Sequence, residues 1–68
     1  MKTCLEGLKR AIESNPRKSF RGYFVHNGRE LTHQEVVNVA NYGVEHGYYS
    51  EADIPEEEIE LAMEGGDE

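Results

Sequence analysis

The sequence predicts a small α+β domain: a helix, a two-stranded antiparallel β-hairpin, a second helix and a short C-terminal helix. Three short stretches carry that prediction. Asn27–Gly28 is a strong local signal for a two-residue type I′ hairpin turn, because both central positions need positive φ. Thr32 followed three positions later by Glu35 forms a capping box at a helix start. Asn15–Pro16 stops an earlier helix, since the residue before proline is pushed out of helical geometry.

Over residues 2–13, Cys4, Leu5, Leu8, Ala11 and Ile12 fall on one stripe at helical spacing, with Lys2, Glu6, Lys9, Arg10 and Glu13 elsewhere. Gly7 weakens this helix by about 1 kcal/mol relative to alanine, which suggests close packing there. In the hairpin, the turn sets His26 opposite Arg29, Val25 opposite Glu30 and Phe24 opposite Leu31. Period-two alternation carried back to Phe20 gives Phe20, Gly22, Phe24 and Leu31 one face, the core face. Arg21, Tyr23, Val25 and Glu30 share the other face, which is half apolar and needs a cover or a use.

The next helix sets Val36, Val37, Val39, Ala40, Gly43 and Val44 on one broad side and Gln34, Asn38, Asn41 and Glu45 opposite. Gly47 suits a left-handed residue that ends it. Residues 48–53 read as a turn, with Ser50 capping a short turn of its own. Asp53 is expected to cap the last helix, with Pro55 near its first position. Glu56, Glu57 and Glu58 then occupy the first turn, where negative charge suits the helix dipole. Ile54, Ile59, Ala62 and Met63 supply its apolar side. Residues 1–63 therefore read as one domain, and 64–68 as an acidic tail that frays.

Charge is distributed unevenly. The net charge is −7, yet all seven Lys and Arg lie in residues 1–34, and residues 35–68 hold none. The first half is thus basic and the second strongly acidic, which predicts two surfaces of opposite sign. Cys4 is the only cysteine, so no intramolecular disulfide exists. A lone thiol and a start without an unbroken hydrophobic stretch point to a reducing, cytoplasmic setting. No stretch is long and apolar enough to span a bilayer. A core of this size supplies at most about 3–5 kcal/mol, so self-association as a homodimer is an expected way to gain buried area.

Candidate chemistry narrows quickly. Residues 17–29 interleave Arg17, Lys18, Arg21 and Arg29 with aromatics, and Tyr23 offers a stacking face for nucleic acid. Part of it, "RGYFV", is similar to the RNA-recognition-motif signature. The small residue between the aromatics is absent, however, and Asn27 stands where the last aromatic belongs. Two strands also fall short of the four that module needs, so the family is excluded. In a helix–turn–helix around Gly47 the second helix, "PEEEIELAME", has no cation to read bases and is ruled out, while the preceding helix, with Gln34, Asn38 and Asn41, stays a weak candidate.

The histidines do not make a metal site. His33 and His46 are thirteen residues apart on one helix, roughly 20 Å, and no Cys-x-x-Cys or His-x-x-x-His pair exists. All three, His26 included, read as surface residues, and no cofactor is expected. No phosphate loop, nucleophile elbow or His-x-Glu pairing points to catalysis, and Cys4 reads as a buried structural thiol. The expectation is a non-enzymatic interaction or regulatory module. Its partner would be a protein or a second copy, met by Arg17, Lys18, Arg21, Tyr23, Val25 and Arg29 or by the acidic Glu56, Glu57, Glu58 and Glu60. The alternative is nucleic-acid binding through residues 17–29.

Overall fold

A computed structural model describes residues 4–64 of the chain. Helix α1 (Leu5–Ser14) is followed by strands β1 (Val25–His26) and β2 (Arg29–Glu30), helix α2 (His33–His46), one 3-10 turn (Glu51–Asp53) and helix α3 (Glu56–Met63). This is the predicted order of helix, antiparallel hairpin, helix and short helix. Helices α1 and α3 both pack on α2. Their shared core holds Leu5, Leu8, Phe20, Phe24, Leu31, Val36, Val39, Ala40, Ile54, Ile59 and Ala62.

Both ends of α2 are fixed by local chemistry. Thr32 Oγ1 accepts from the Glu35 amide at 3.2 Å, while Glu35 Oε1 accepts from the Thr32 amide at 2.9 Å. At the other end Gly47 adopts φ 81°. The Tyr48 amide donates to the Gly43 carbonyl at 2.8 Å and the Gly47 amide to Val44 at 3.2 Å. These two bonds make a Schellman motif. In the last turn of α2, Gly43 is buried, and a Cβ there would collide with Leu5 Cδ1. Leu5 is 0% exposed and so has nowhere to retreat. The close approach expected at Gly7 is found instead at Gly43; Gly7 is exposed.

Helix α1 begins after Cys4, which is half-buried rather than buried and pairs with Ser50 in an isolated antiparallel bridge. The Leu5 amide donates to the Tyr49 carbonyl at 2.8 Å, tying the start of α1 to the loop after α2. Asn15 Nδ2 closes the far end on the Ala11 carbonyl at 2.8 Å. Residues 2 and 3 of the predicted helix, and 65–68 of the predicted tail, lie outside the described residues.

The hairpin keeps the predicted register, Val25 with Glu30 and His26 with Arg29, around Asn27 at φ 55° and Gly28 at φ 77°. It is shorter than alternation suggests. The Leu31 amide still reaches the Phe24 carbonyl at 3.0 Å, but Leu31's own carbonyl accepts from Gly22, at 3.0 Å. The Tyr23 amide donates back to Phe20 at 3.2 Å, closing a β-turn over Arg21–Gly22. Gly22, at φ 87°, is the residue that permits this turn. Residues 20–23 are therefore a turn, and Arg21 and Tyr23 do not alternate with Val25 on a strand. Phe20 and Phe24 are buried all the same, and the Phe20 amide donates to His33 Nδ1 at 3.0 Å.

Two further contacts differ from the sequence reading. Asp53 faces backwards: its Oδ2 accepts from the Ser50 amide at 3.2 Å, so it braces the 3-10 turn instead of capping α3. Helix α3 follows Pro55 with no side-chain cap. Asn38 is not on a free polar side, because its Nδ2 donates to the Met63 carbonyl at 3.0 Å and pins the end of α3.

Candidate partner-binding site

The basic stretch divides into free and engaged cations. Arg17, Lys18 and Arg21 are exposed, and Lys18 Nζ sits 5.3 Å from the centre of the Phe20 ring. Arg29 is engaged: its guanidinium grips both carboxylate oxygens of Glu35 at 3.1 and 3.2 Å. That bond holds Glu35 below the usual carboxylate range, helped by the Thr32 amide, and raises Arg29 further. Arg29 thus braces the hairpin against the capping box. Tyr23 leans on Phe20 with ring centroids 5.0 Å apart and stays 47% exposed, while Val25 is 61% exposed.

The acids of α3 divide in the same way. Glu56 and Glu57 are exposed. Glu58 Oε1 accepts from both the Tyr42 and Tyr48 hydroxyls, each at 2.9 Å. Burial and then this bond raise the Tyr42 phenol above its ordinary value; for Tyr48 the Glu58 bond is the larger cause. The His46 ring stacks on Tyr42 at 4.0 Å and faces Tyr48 at 6.3 Å. Its Nδ1 lies 2.9 Å from the Tyr42 carbonyl, so that nitrogen carries the proton. Glu58 is therefore a clamp between α2 and α3, not a free surface charge.

Between the hairpin and α3 a cleft of about 200 Å³ remains open. Phe24, Leu31, Val39, Ile54 and Ile59 give it an apolar lining, and Val25, His26, Glu51, Ala52 and Glu56 complete its walls. A second hollow, of about 440 Å³, continues beyond His26 and is lined by Asn27, Arg29, Glu35, Glu60, Met63 and Glu64. His26 is the wall the two share. Its side chain is only 15% exposed, and its Nε2, shut off from solvent, has no hydrogen-bond partner among the described residues. The Glu60 carboxylate is 3.9 Å away, too far for a hydrogen bond. An unbonded buried polar atom costs about 1–3 kcal/mol.

Of the residues singled out in the sequence, the structure brings Val25 and Glu56 to the first cleft and Arg29 and Glu60 to the second. Neither cleft is lined by Arg17, Lys18, Arg21, Tyr23, Glu57 or Glu58. His26, which reads as a surface histidine, was missed. The turn at Asn27–Gly28 fixes its register but says nothing of the helix that comes to lie beside it.

Among the described residues no three His, Cys, Asp or Glu side chains are grouped to hold a metal ion, and no helix is long and apolar enough to cross a membrane. Comparison with protein-family models, curated proteins and solved structures gives no match.

Proposed function

We propose that this chain is a small, non-enzymatic, cytoplasmic interaction module that holds a protein partner at the cleft between the hairpin and α3. The carrying observation is that cleft: a hollow of about 200 Å³ walled by core side chains, with Val25 exposed at its edge. A concave hollow with apolar walls and a few polar groups at its rim is the usual form of a binding site. Glu51 and Glu56 on the walls favour a partner of positive character. Partner capture by the wild-type chain, by Val25→Glu and by Glu56→Lys, compared by quantitative mass spectrometry, tests the reading. A partner held by wild type and lost from both variants is expected. An identical set of captured proteins from all three chains defeats the proposal. A second copy is one possible occupant, which a molar-mass measurement in solution identifies.

A second reading has its own observation. Arg17, Lys18 and Arg21 stand exposed beside half-exposed Tyr23, and none of the three cations has an ion-pair partner among the described residues. Such a set suits a phosphate backbone and an unstacked base. Fluorescence anisotropy with a single-stranded oligonucleotide at low salt then shows binding that weakens steeply as salt rises. No binding at low salt ends this reading.

A further inference from the structure

We infer that the two hollows meeting at His26 receive a partner segment in which an aliphatic residue is closely followed by a lysine or arginine. The inference rests on the interaction reading above and names the chemistry of the partner. The first hollow supplies the place for the aliphatic side chain, between Phe24, Leu31 and Ile59. The second supplies acid without a mobile cation to balance it. Arg29, its only Lys or Arg, is already held by both oxygens of Glu35, so no other Lys or Arg of the lining faces Glu60 and Glu64.

His26 makes the case for a cation rather than for a merely apolar guest. Its Nε2 and the Glu60 Oε2 lie 3.9 Å apart, and Nε2 has no hydrogen-bond partner among the described residues. A single ammonium or guanidinium can donate to two such acceptors at once, with bonds of about 2.9 Å. The Glu60 side chain is 68% exposed and can reorient at small cost to admit that donor. The imidazole must then be neutral with its proton on Nδ1, leaving the Nε2 lone pair to accept. In an extended segment, residues two apart project to the same side about 7 Å from each other, so one strand of partner can fill both hollows. The acid of the second hollow favours a basic segment as the occupant.

The test uses the whole isotope-labelled chain and two capped pentapeptides, Gly-Leu-Ala-Arg-Gly and Gly-Leu-Ala-Glu-Gly, followed by amide chemical shifts. The arginine peptide is expected to shift Val25, His26, Ile59 and Glu60 saturably, with the glutamate peptide at least about 10-fold weaker. Glu60→Gln is expected to weaken the arginine peptide about 10-fold, the loss of one charge-assisted bond. Glu57→Gln, which lies on neither hollow, leaves it unchanged. Equal affinity for the two peptides, or no effect of Glu60→Gln, overturns the cation site while the interaction reading stands. A proton on His26 Nε2 in the complex, read from imidazole nitrogen shifts, also overturns it. The same holds if the cleft signals move with protein concentration alone and the peptide does not compete, which makes a second copy the occupant. Silence toward both peptides sinks this inference only; if Val25→Glu also spares every captured partner, both readings fall.

Discussion

On the α1 flank of the core, Gly43 has no room for a Cβ beside Leu5; on the hairpin flank, the hairpin and α3 stand apart over an open cleft. The close flank uses a fully buried leucine against a bare backbone, the arrangement that leaves no void for water. The open flank is spanned at its ends, by the Tyr42–Glu58–Tyr48 clamp and the Asn38–Met63 bond, and is not filled between them. The contrast teaches that the tightest packing and the open space lie in different parts of one small core. Changes on the close flank should unfold the chain, and changes on the open flank should spare the fold.

Leu5→Ala is the strongest test of that division. Removing a buried leucine typically costs about 2–5 kcal/mol, as much as a domain of this size has to lose. Urea denaturation is expected to find little folded protein; a stable variant would show that the close flank is not where stability lies. Gly43→Ala comes next, with overpacking of about 1–3 kcal/mol partly offset by the better helix propensity of alanine. Circular-dichroism melting should show a lower midpoint than wild type. A higher midpoint would mean that Leu5 repacks freely.

Smaller effects follow at the clamps. Glu58→Gln should bring both phenols back toward their ordinary value, Tyr48 further than Tyr42, because burial is the leading cause only for Tyr42. Tyrosinate ultraviolet absorbance across an alkaline titration measures this. In wild type, raised phenols mean that the clamp's stability is present below the ordinary phenol range and is lost as pH climbs through the folded values. Glu35 has the opposite sign. Its folded value is depressed, so its contribution is present above the usual carboxylate range and fades as pH falls through the folded value. Denaturation midpoints measured at descending pH should therefore drop less for Glu35→Gln than for wild type. Val25→Thr is the smallest change expected, within about 0.5 kcal/mol, because the side chain is mostly in solvent. A larger loss in urea denaturation would place Val25 among the core residues and close the cleft as a binding site.

The sequence was most readable where the decisive contacts are a few residues apart. Thr32 with Glu35, Gly47 at the helix end and Asn27–Gly28 in the turn were all identified from local spacing, and each stands as expected. Reading stopped where geometry depends on distant partners. The turn at Gly22 looks like strand alternation until Leu31's carbonyl chooses between Gly22 and Phe24. Asp53 has the right offset to cap α3, yet Ser50 is equally near in sequence and takes its carboxylate. Arg29 and Glu58 read as free charges because Glu35, six residues on, and Tyr42 and Tyr48, sixteen and ten residues back, are brought to them only by the fold. His26 belongs to the same class. No local pattern tells that α3 will shut its Nε2 away from water without offering it a bond.

The uncapped start of α3 has a consequence for motion. Pro55 gives its first turn no side-chain cap, and its three opening glutamates lie at the surface or half-buried. Elements held by few satisfied ends open at lower free energy than the rest of a domain. Amide hydrogen exchange is thus expected to be faster along α3 than along α2, which is sealed at both ends. Since α3 is one wall of the cleft, its exchange rate also reports how long that wall stays in place.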